Sequence, residues 1–599
     1  MRPRDGLSLL AVRLAALLPT LGLGIGAALL FLQFGAADGL DRLDILRAGL
    51  IGISTLWLAW GAMQGLLGLL AVHLEGLPPV GSDAPIRGRT AILVPVCNED
   101  PAETLSRVAA IDLSLDALGL SQQFHFAILS DTRNEEVARQ EEIWFARLLA
   151  ERGGAGRMFY RRRTVNTGKK AGNIEDFFQR SGAAYDYALI LDADSLMEGA
   201  TIAEMVRRME ADPELGLLQT LPKIIKARSR FGRAMQFAAS FYSPIFARGQ
   251  GLMQGRCGPF WGHNALVRVR AFAESCGLPV LSGNPPFGGH VLSHDYVEAA
   301  LLARAGWRVR VDPDLEGSFE EGPENIIDYA KRDRRWCQGN LQHCRIIGAP
   351  GLRGWSRFVF LQGILAYIAP LFWLMFMMAS VVQPLFQHAP NYFPEPYQLF
   401  PVFPSNETSK AIGLAIGVLG LLILPKLAIA AHAAMTGRAR AFGGPGRVFL
   451  TTLWELAASS VMAPIMLMFQ TRSVLQVLMG IDGGWPPNRR GDGTLGWGAA
   501  WTASRWIVLC GVLGLFTASR LAPELVLWLL PVCIPMILAP VVITLSSRPC
   551  GAWSGDAFIV PSETDPDRVI LYQRQILDQW TSARDSRGAP AALGTASYA

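Results

Sequence analysis

Two apolar stretches near the start of the chain, residues 7–34 and 45–72, are each long enough to cross about 30 Å of hydrocarbon as a helix. Inside a bilayer the backbone has no water to bond, so only helices or a closed barrel can span it, and runs of this length select helices. Apolar runs return at residues 358–386, 411–434, 448–469, 506–518 and 524–545. Between the two groups, residues 79–347 alternate short apolar runs with charged amphipathic segments, as an α/β domain does. The expected layout is two transmembrane helices in 1–78, a soluble domain in 79–347, a second membrane region in 348–547, and a polar tail in 548–599 that lies against the soluble domain or is partly disordered.

Loop charge sets the expected topology. Arg438, Arg440 and Arg447 mark 437–447 as cytosolic, and Arg472, Arg489 and Arg490 mark 470–490 likewise. The 387–409 loop lacks lysine and arginine and reads as periplasmic. If both arginine segments face inward, 448–479 must enter and return, broken at Pro464. That predicts about eight spans, with seven as the alternative and both termini cytosolic for an even count. Arg2 and Arg4 precede an apolar run with no clear cleavage site, so an uncleaved anchor is expected. The 8 cysteines include no CxxC pair, which suggests neither zinc nor a disulfide framework and fits a reducing compartment. A net charge of +5 without a dense basic stripe argues against a nucleic-acid partner.

Within the soluble block, TAILVP (90–95), FHFAILS (124–130) and ALIL (188–191) read as buried strands, with helical patterns at 135–151 and 203–210. Strands alternating with helices make a mostly parallel sheet, whose ligands gather at the carboxyl ends of the strands. Each strand end is followed by polar or acidic residues: Cys97-Asn98-Glu99-Asp100, then Asp131, then Asp192-Ala193-Asp194. In LILDADS the two aspartates project to one side of an extended segment, and hard oxygens there suit Mg²⁺ or Mn²⁺ bridging a diphosphate. TGKKAGN (167–173) places Lys169 and Lys170 between glycines ahead of a helix, a phosphate-loop pattern, although Arg163 stands where a Walker A loop needs glycine. Asp295 in Ser293-His294-Asp295 reads either as a helix N-cap or as a general base for an acceptor hydroxyl. Arg332-Asp333-Arg334-Arg335-Trp336 reads as a surface charge run, or as a diphosphate clamp beside an indole that stacks on a sugar ring.

Together, PVCNE, the Asp131 strand end, KAGN, DAD, an HD at 294–295 and RDRRW resemble the family-two glycosyltransferases of the cellulose- and hyaluronan-synthase type. Within that family SDTRNEE, YRRRTVNTGKKAGNI, GPFWGHNALVR, LSHDYVEAALLARAGW and FIVPSETDPDRV are similar to the synthases of osmoregulated periplasmic glucans. The resemblance implies a GT-A domain inserted between transmembrane helices of the bacterial inner membrane. It also implies a processive, inverting transfer from UDP-glucose to a growing β-1,2-glucan chain.

The same resemblance assigns Glu99, Asp131, Lys170, Asp192 and Arg335 to the donor, Asp194 to the metal, Asp295 to catalysis, and Trp336 and His294 to the acceptor. It implies acyl carrier protein and a periplasmic glucan-modifying protein as partners, and a gating loop at residues 483–492. Trp373 and Trp454 are candidates for lining a glucan tunnel or for ordinary packing. Rival readings are a related synthase of another polysaccharide, a non-catalytic membrane scaffold, and a transporter. The last predicts charges inside the spans, where only Lys426 and Glu455 occur to any extent.

Overall fold

The computed structural model describes residues 7–35, 40–75, 84–386, 399–400, 408–482, 493–550 and 557–587. Two long helices, α1 (Leu7–Gly35) and α2 (Arg42–Glu75), pack together ahead of the α/β domain. The domain then runs β1 (Thr90–Val96), α3 (Pro101–Asp116), β2 (Phe124–Ser130), α4 (Glu135–Arg152), β3 (Met158–Arg162), α5 (Lys169–Ser181) and β4 (Tyr187–Ile190). It continues through β5 (Leu196–Met197), α6 (Gly199–Ala211), β6 (Leu215–Gln219), β7 (Lys223–Ile225), α7 (Arg230–Phe241) and α8 (Ser243–Met253). It closes with β8 (Ala265–Arg268), α9 (Val269–Ser275), α10 (His294–Arg304), β9 (Arg308–Val311), β10 (Ser318–Glu321) and α11 (Ile326–Gln342). The main sheet has the order β3-β2-β1-β4-β8-β6-β9, with β8 antiparallel to both neighbours, and β5-β10-β7 form a small second sheet. The fold is a GT-A-like mixed sheet. From β1 the chain winds outward to β3 and then crosses back to β4 on the other side of β1, and the reversal opens a crevice beyond the carboxyl ends of β1 and β4.

After the domain come α12 (Gly354–Val382), α13 (Thr408–Met435), α14 (Pro445–Leu478), α15 (Trp497–Leu521), α16 (Val526–Ile537) and α17 (Ala539–Ser546). Among the described residues six helices are long and apolar enough to cross a membrane, or seven if α16 and α17, bent by 57°, make one broken span. The count is thus below eight and reaches the expected alternative of seven if that pair is one span.

The difference lies in α14. It does not break at Pro464 but runs on as one helix of 34 residues, about 50 Å long. Along that length it meets both the α/β domain and the membrane-region helices α12, α13 and α16. Val448 packs with Phe237 and Phe241 of α7, Ile465 and Met468 with Phe231 and Ile326, and Val474 and Val477 with Cys337 and Leu341 of α11. α14 is therefore one continuous element, without the expected hairpin. Trp454 on α14 is exposed, and Trp373 packs with Phe376 against α1 and α2, so both behave as packing or surface aromatics. Lys426 and Glu455 pair at 2.7 Å, which neutralises the charges expected inside the bundle.

The bundle is keyed to the domain by a close helix crossing. α2 meets α8 where Gly68 and Gly249 face each other's helix, and a Cβ on either would be driven into a backbone carbonyl oxygen, of Ile245 or of Gln64. Overpacking of this kind costs about 1–3 kcal/mol. Gly68→Ala is therefore expected to lower the thermal midpoint of the detergent-purified protein, whereas Gly61→Ala, with open space around it, leaves it unchanged.

The described part of the tail docks on the domain. α18 (Arg568–Arg587) lies on α3 and buries Val569, Ile570 and Trp580 in the main core. Trp580 stacks on Trp144 with centroids 5.1 Å apart, and its indole N–H donates to Glu151 at 2.7 Å. The cysteines of the described residues are all free thiols.

Candidate active site

The site is assembled at the carboxyl ends of β1, β2 and β4. Past β1, Asn98 takes φ +61, and its side-chain oxygen accepts from the Arg133 and Asn134 amides at 3.3 and 3.1 Å. Its own amide donates to Thr132 Oγ1 at 2.8 Å, so one residue stitches the ends of β1 and β2 together. The acids of the CNED run then divide. Asp100 caps α3, and the half-buried Glu99 accepts from the Cys97 amide at the crevice edge.

At the end of β2, Asp131 is buried and its carboxylate is held by Arg163 in a fork, at 2.8 and 2.7 Å, and by Asn173 at 3.0 Å. Its neighbours Ser130 and Thr132 both donate to the buried Glu141, at 2.7 and 2.5 Å, as does the Tyr160 hydroxyl at 2.9 Å. Asp131 is therefore a fixed wall of the crevice, fully engaged through Arg163.

At the end of β4, Lys170 from the first turn of α5 donates to Asp192 Oδ1 and, at 2.6 Å, to the Gly262 carbonyl. Burial pushes the Asp192 carboxyl up, but Lys170 and then His263, at 3.7 Å, hold it well below the usual carboxylate range. The loop is pinned from behind by Arg107 on α3, which donates to the Ala193 carbonyl at 3.0 Å and is itself clamped by Glu103 and Glu321, at 2.9 and 2.5 Å. Asp194 is half-buried beside it.

The structure decides the role of Asp295 in the backbone. Ser293 is the N-cap residue of α10, and Asp295 lies within its first turn, so it is not the cap. Its carboxylate faces Gly262, where a Cβ would stand 3.5 Å from Oδ2 and where φ is +83°. A side chain at 262 would both crowd the carboxylate and strain the backbone. Burial, reinforced by Glu298, raises the pKa of Asp295 despite the opposing pull of His294. His294 turns along its own helix, with Nδ1 3.1 Å from Glu298, which raises its pKa against the effect of burial.

α11 supplies the remaining wall. The Arg332 guanidinium lies 4.5 Å from the ring centroid of Trp336, a residue that is 42% exposed. Burial lowers the pKa of Arg335, with Arg332 adding to it, and lowers that of Lys169, where Arg335 again contributes; the three cations share one neighbourhood. Residues 483–492, the expected gating loop, lie outside the described residues. On either side of them α11 holds the chain: Arg334 and Gln338 donate to Ile481 and Asp482, both at 2.9 Å, and Asn325 donates to the Gly493 carbonyl at 3.0 Å.

Asp333, on the buried side of α11, accepts from Tyr367 at 3.3 Å and bonds Gln470. Burial pushes its pKa up to about 6, so the folded state holds this proton more tightly than the unfolded chain does. Stability is then lost as the pH rises from about 4 through 6, by roughly 3 kcal/mol at pH 8. Asp333→Asn keeps the hydrogen bonds without the charge. The variant should unfold at a higher temperature than wild type at pH 8, with the gap closing towards pH 4.

The structure thus brings Asp192, Lys170 and Asp295 together around Gly262 and places Trp336 on the neighbouring wall. It keeps the Asp131 carboxylate on Arg163 and turns His294 towards Glu298. The sequence reading passed over Glu141, whose partners lie within 19 residues, and Arg107, His263, Glu320 and Glu321, which meet across 57 residues or more; the only signal for His263 was its place in GPFWGHN, beside a glycine in a polar-aromatic run.

Residues 187–423 match the model of the glycosyl transferase family group 2. The chain is 62% identical over 582 residues, 97% of both chains, to glucans biosynthesis glucosyltransferase H of Cereibacter sphaeroides. The protein of the same name in Shewanella baltica strain OS223 is 38% identical, with 94% of this chain and 80% of the relative covered. In Bradyrhizobium diazoefficiens the figures are 39%, 92% and 75%. A solved mannosyl-3-phosphoglycerate synthase from Rubrobacter xylanophilus matches 48% of this chain and 80% of its own, with 14% identity and a TM-score of 0.27, too slight a likeness to carry an argument.

Proposed function

Because the chain belongs to the family-two glycosyltransferases, among the glucans biosynthesis glucosyltransferase H proteins, we propose that it is a processive, inverting glucosyltransferase. It takes glucose from UDP-glucose, builds the β-1,2-linked backbone of periplasmic glucans on the cytosolic side of the inner membrane, and passes the chain out through its helical bundle. The observation that carries this reading is the meeting of Asp192, Lys170 and Asp295 around Gly262.

In this mechanism the donor lies in the crevice beyond β1 and β4, with its uridine against Glu99 and the Asp131–Arg163 wall. Lys170 moves from Asp192 to the diphosphate, and Lys169 and Arg335 face the same charge. Asp192 orients the glucosyl unit. Asp295, whose raised pKa suits a base, takes the proton from the acceptor hydroxyl as that oxygen attacks the anomeric carbon from the face opposite UDP. One displacement inverts α to β, so no covalent intermediate forms on the protein. Trp336 stacks under the acceptor ring.

Among the described residues no three His, Cys, Asp or Glu side chains are grouped to hold a metal by themselves. The hard oxygens of Asp194, beside an Asp192 already paired with Lys170, would hold a Mg²⁺ or Mn²⁺ ion. Such an ion, when bound, offsets charge gathering on the leaving diphosphate.

The deciding experiment supplies labelled UDP-sugars to purified protein, with and without EDTA, followed by linkage analysis of the product. β-1,2-glucose chains made from UDP-glucose support the proposal. Another sugar or linkage refutes its donor or product, and undiminished synthesis in EDTA refutes the metal.

A further inference from the structure

His263 stands between the two halves of the site. Its Nδ1 faces the Trp261 carbonyl oxygen at 3.1 Å and Asp192 Oδ2 at 3.7 Å, while its Nε2 lies 3.0 Å from Glu320 Oε2. Both ring nitrogens meet acceptors only. A neutral imidazole has a single N–H and cannot serve both sides, so this geometry calls for the doubly protonated ring. Burial pulls the His263 pKa down, but Asp192 and Glu320 together push it up to about 9, in agreement with the contacts.

The line of charge continues beyond Glu320. Glu320 Oε2 lies 3.8 Å from Arg332 Nη2, and the Arg332 guanidinium covers the Trp336 ring. Asp192, His263, Glu320, Arg332 and Trp336 thus form a row of alternating charge ending on an aromatic face. It begins at the carboxylate assigned to the donor and ends at the ring assigned to the acceptor. Its anchor in the backbone, residues 261–263, also carries the Gly262 carbonyl that receives Lys170 and faces Asp295.

We propose that His263 and Glu320 are positioning residues that fix the acceptor platform Trp336 relative to the donor-holding Asp192. Neither touches the reacting atoms. They set the spacing between the two substrates, where a displacement of about 1 Å can cost on the order of 100-fold in rate. The inference rests on the proposed sugar transfer.

The test compares full-length His263→Gln and Glu320→Gln with wild type in detergent. UDP binding is read by calorimetry, UDP release by a coupled assay, and polymer by incorporation of labelled glucose. We expect polymer formation to fall 10- to 100-fold with UDP affinity kept within threefold, and a larger share of released UDP to come from hydrolysis without polymer. The double variant should be no worse than the poorer single one, because both break one row.

Wild-type polymer yield and coupling in both variants would overturn the proposal. So would loss of UDP binding in step with loss of polymer, or aggregation of both variants on size exclusion, either of which marks a purely structural role. A wild-type protein that does not consume UDP-glucose refutes the donor assignment alone, and the variants are then judged with the nucleotide-sugar it does consume.

Discussion

Asp295→Asn should lower sugar transfer by about 10³- to 10⁴-fold, the top of the range for loss of a general base, while changing UDP affinity less than threefold. The amide keeps the size and one acceptor oxygen of the carboxylate but cannot take a proton. Asp295 is the acid whose pKa is raised chiefly by burial and which faces Gly262, opposite the point where Lys170 holds the Gly262 carbonyl. In the proposed mechanism it serves the acceptor rather than the diphosphate, although Lys170 stands near enough to pull its pKa down against burial. UDP release measured alongside UDP calorimetry separates the outcomes. Near-normal turnover removes Asp295 as the base, and a matching loss of UDP binding would make it a structural residue.

Lys170→Met is expected to act on the donor instead, weakening UDP binding and slowing turnover together. In wild type the ammonium holds Asp192 and the Gly262 carbonyl at once. Its removal leaves a carboxylate whose main counter-charge is gone, and Asp192 then takes a proton more readily. For the ligand, a hydrogen bond to a charged group is worth about 1.5–3 kcal/mol. An effect of about 2–3 kcal/mol, roughly 30- to 150-fold in UDP affinity, is the expected result. Lys170→Arg should recover only a part, because the fork does not reproduce a point charge on two acceptors. Unchanged UDP affinity in Lys170→Met would remove this lysine from the diphosphate site.

Much of this site can be read in sequence because its acids stand directly behind strands with strong local signatures. FHFAILS is a strand over the very residues read, and the helix expected at 135–151 ends one residue later. The contacts that tune those acids cannot be read this way, since they join positions that only the fold brings together. Asp131 and Arg163 are 32 residues apart and His263 and Glu320 are 57 apart, with no periodic pattern linking either pair. β8 was missed for a related reason: a four-residue antiparallel strand at the centre of the sheet looks locally like any short apolar run.

The misreading of α14 has a different origin. Proline breaks an isolated helix, but in a packed one its lost hydrogen bond is tolerated when neighbouring helices enclose it, and Pro464 is buried. A hydropathy window records how apolar a helix is. It carries no information on which neighbours the helix meets, and α14 packs on α11 of the domain as well as on α12, α13 and α16.

The docking of α18 has a consequence for how the protein is made. The catalytic sheet and α11 leave the ribosome first, but Trp580, Val569 and Ile570, which complete the core over α3 and α4, come only after the whole second membrane region. At about 5–20 residues per second the intervening stretch of roughly 220 residues takes some 10–45 s to synthesise. Throughout that time a catalytic domain otherwise ready to close presents a bare Trp144 surface to chaperones and proteases. A chain released early would lack Val569, Ile570 and Trp580 and leave the same part of the core uncovered.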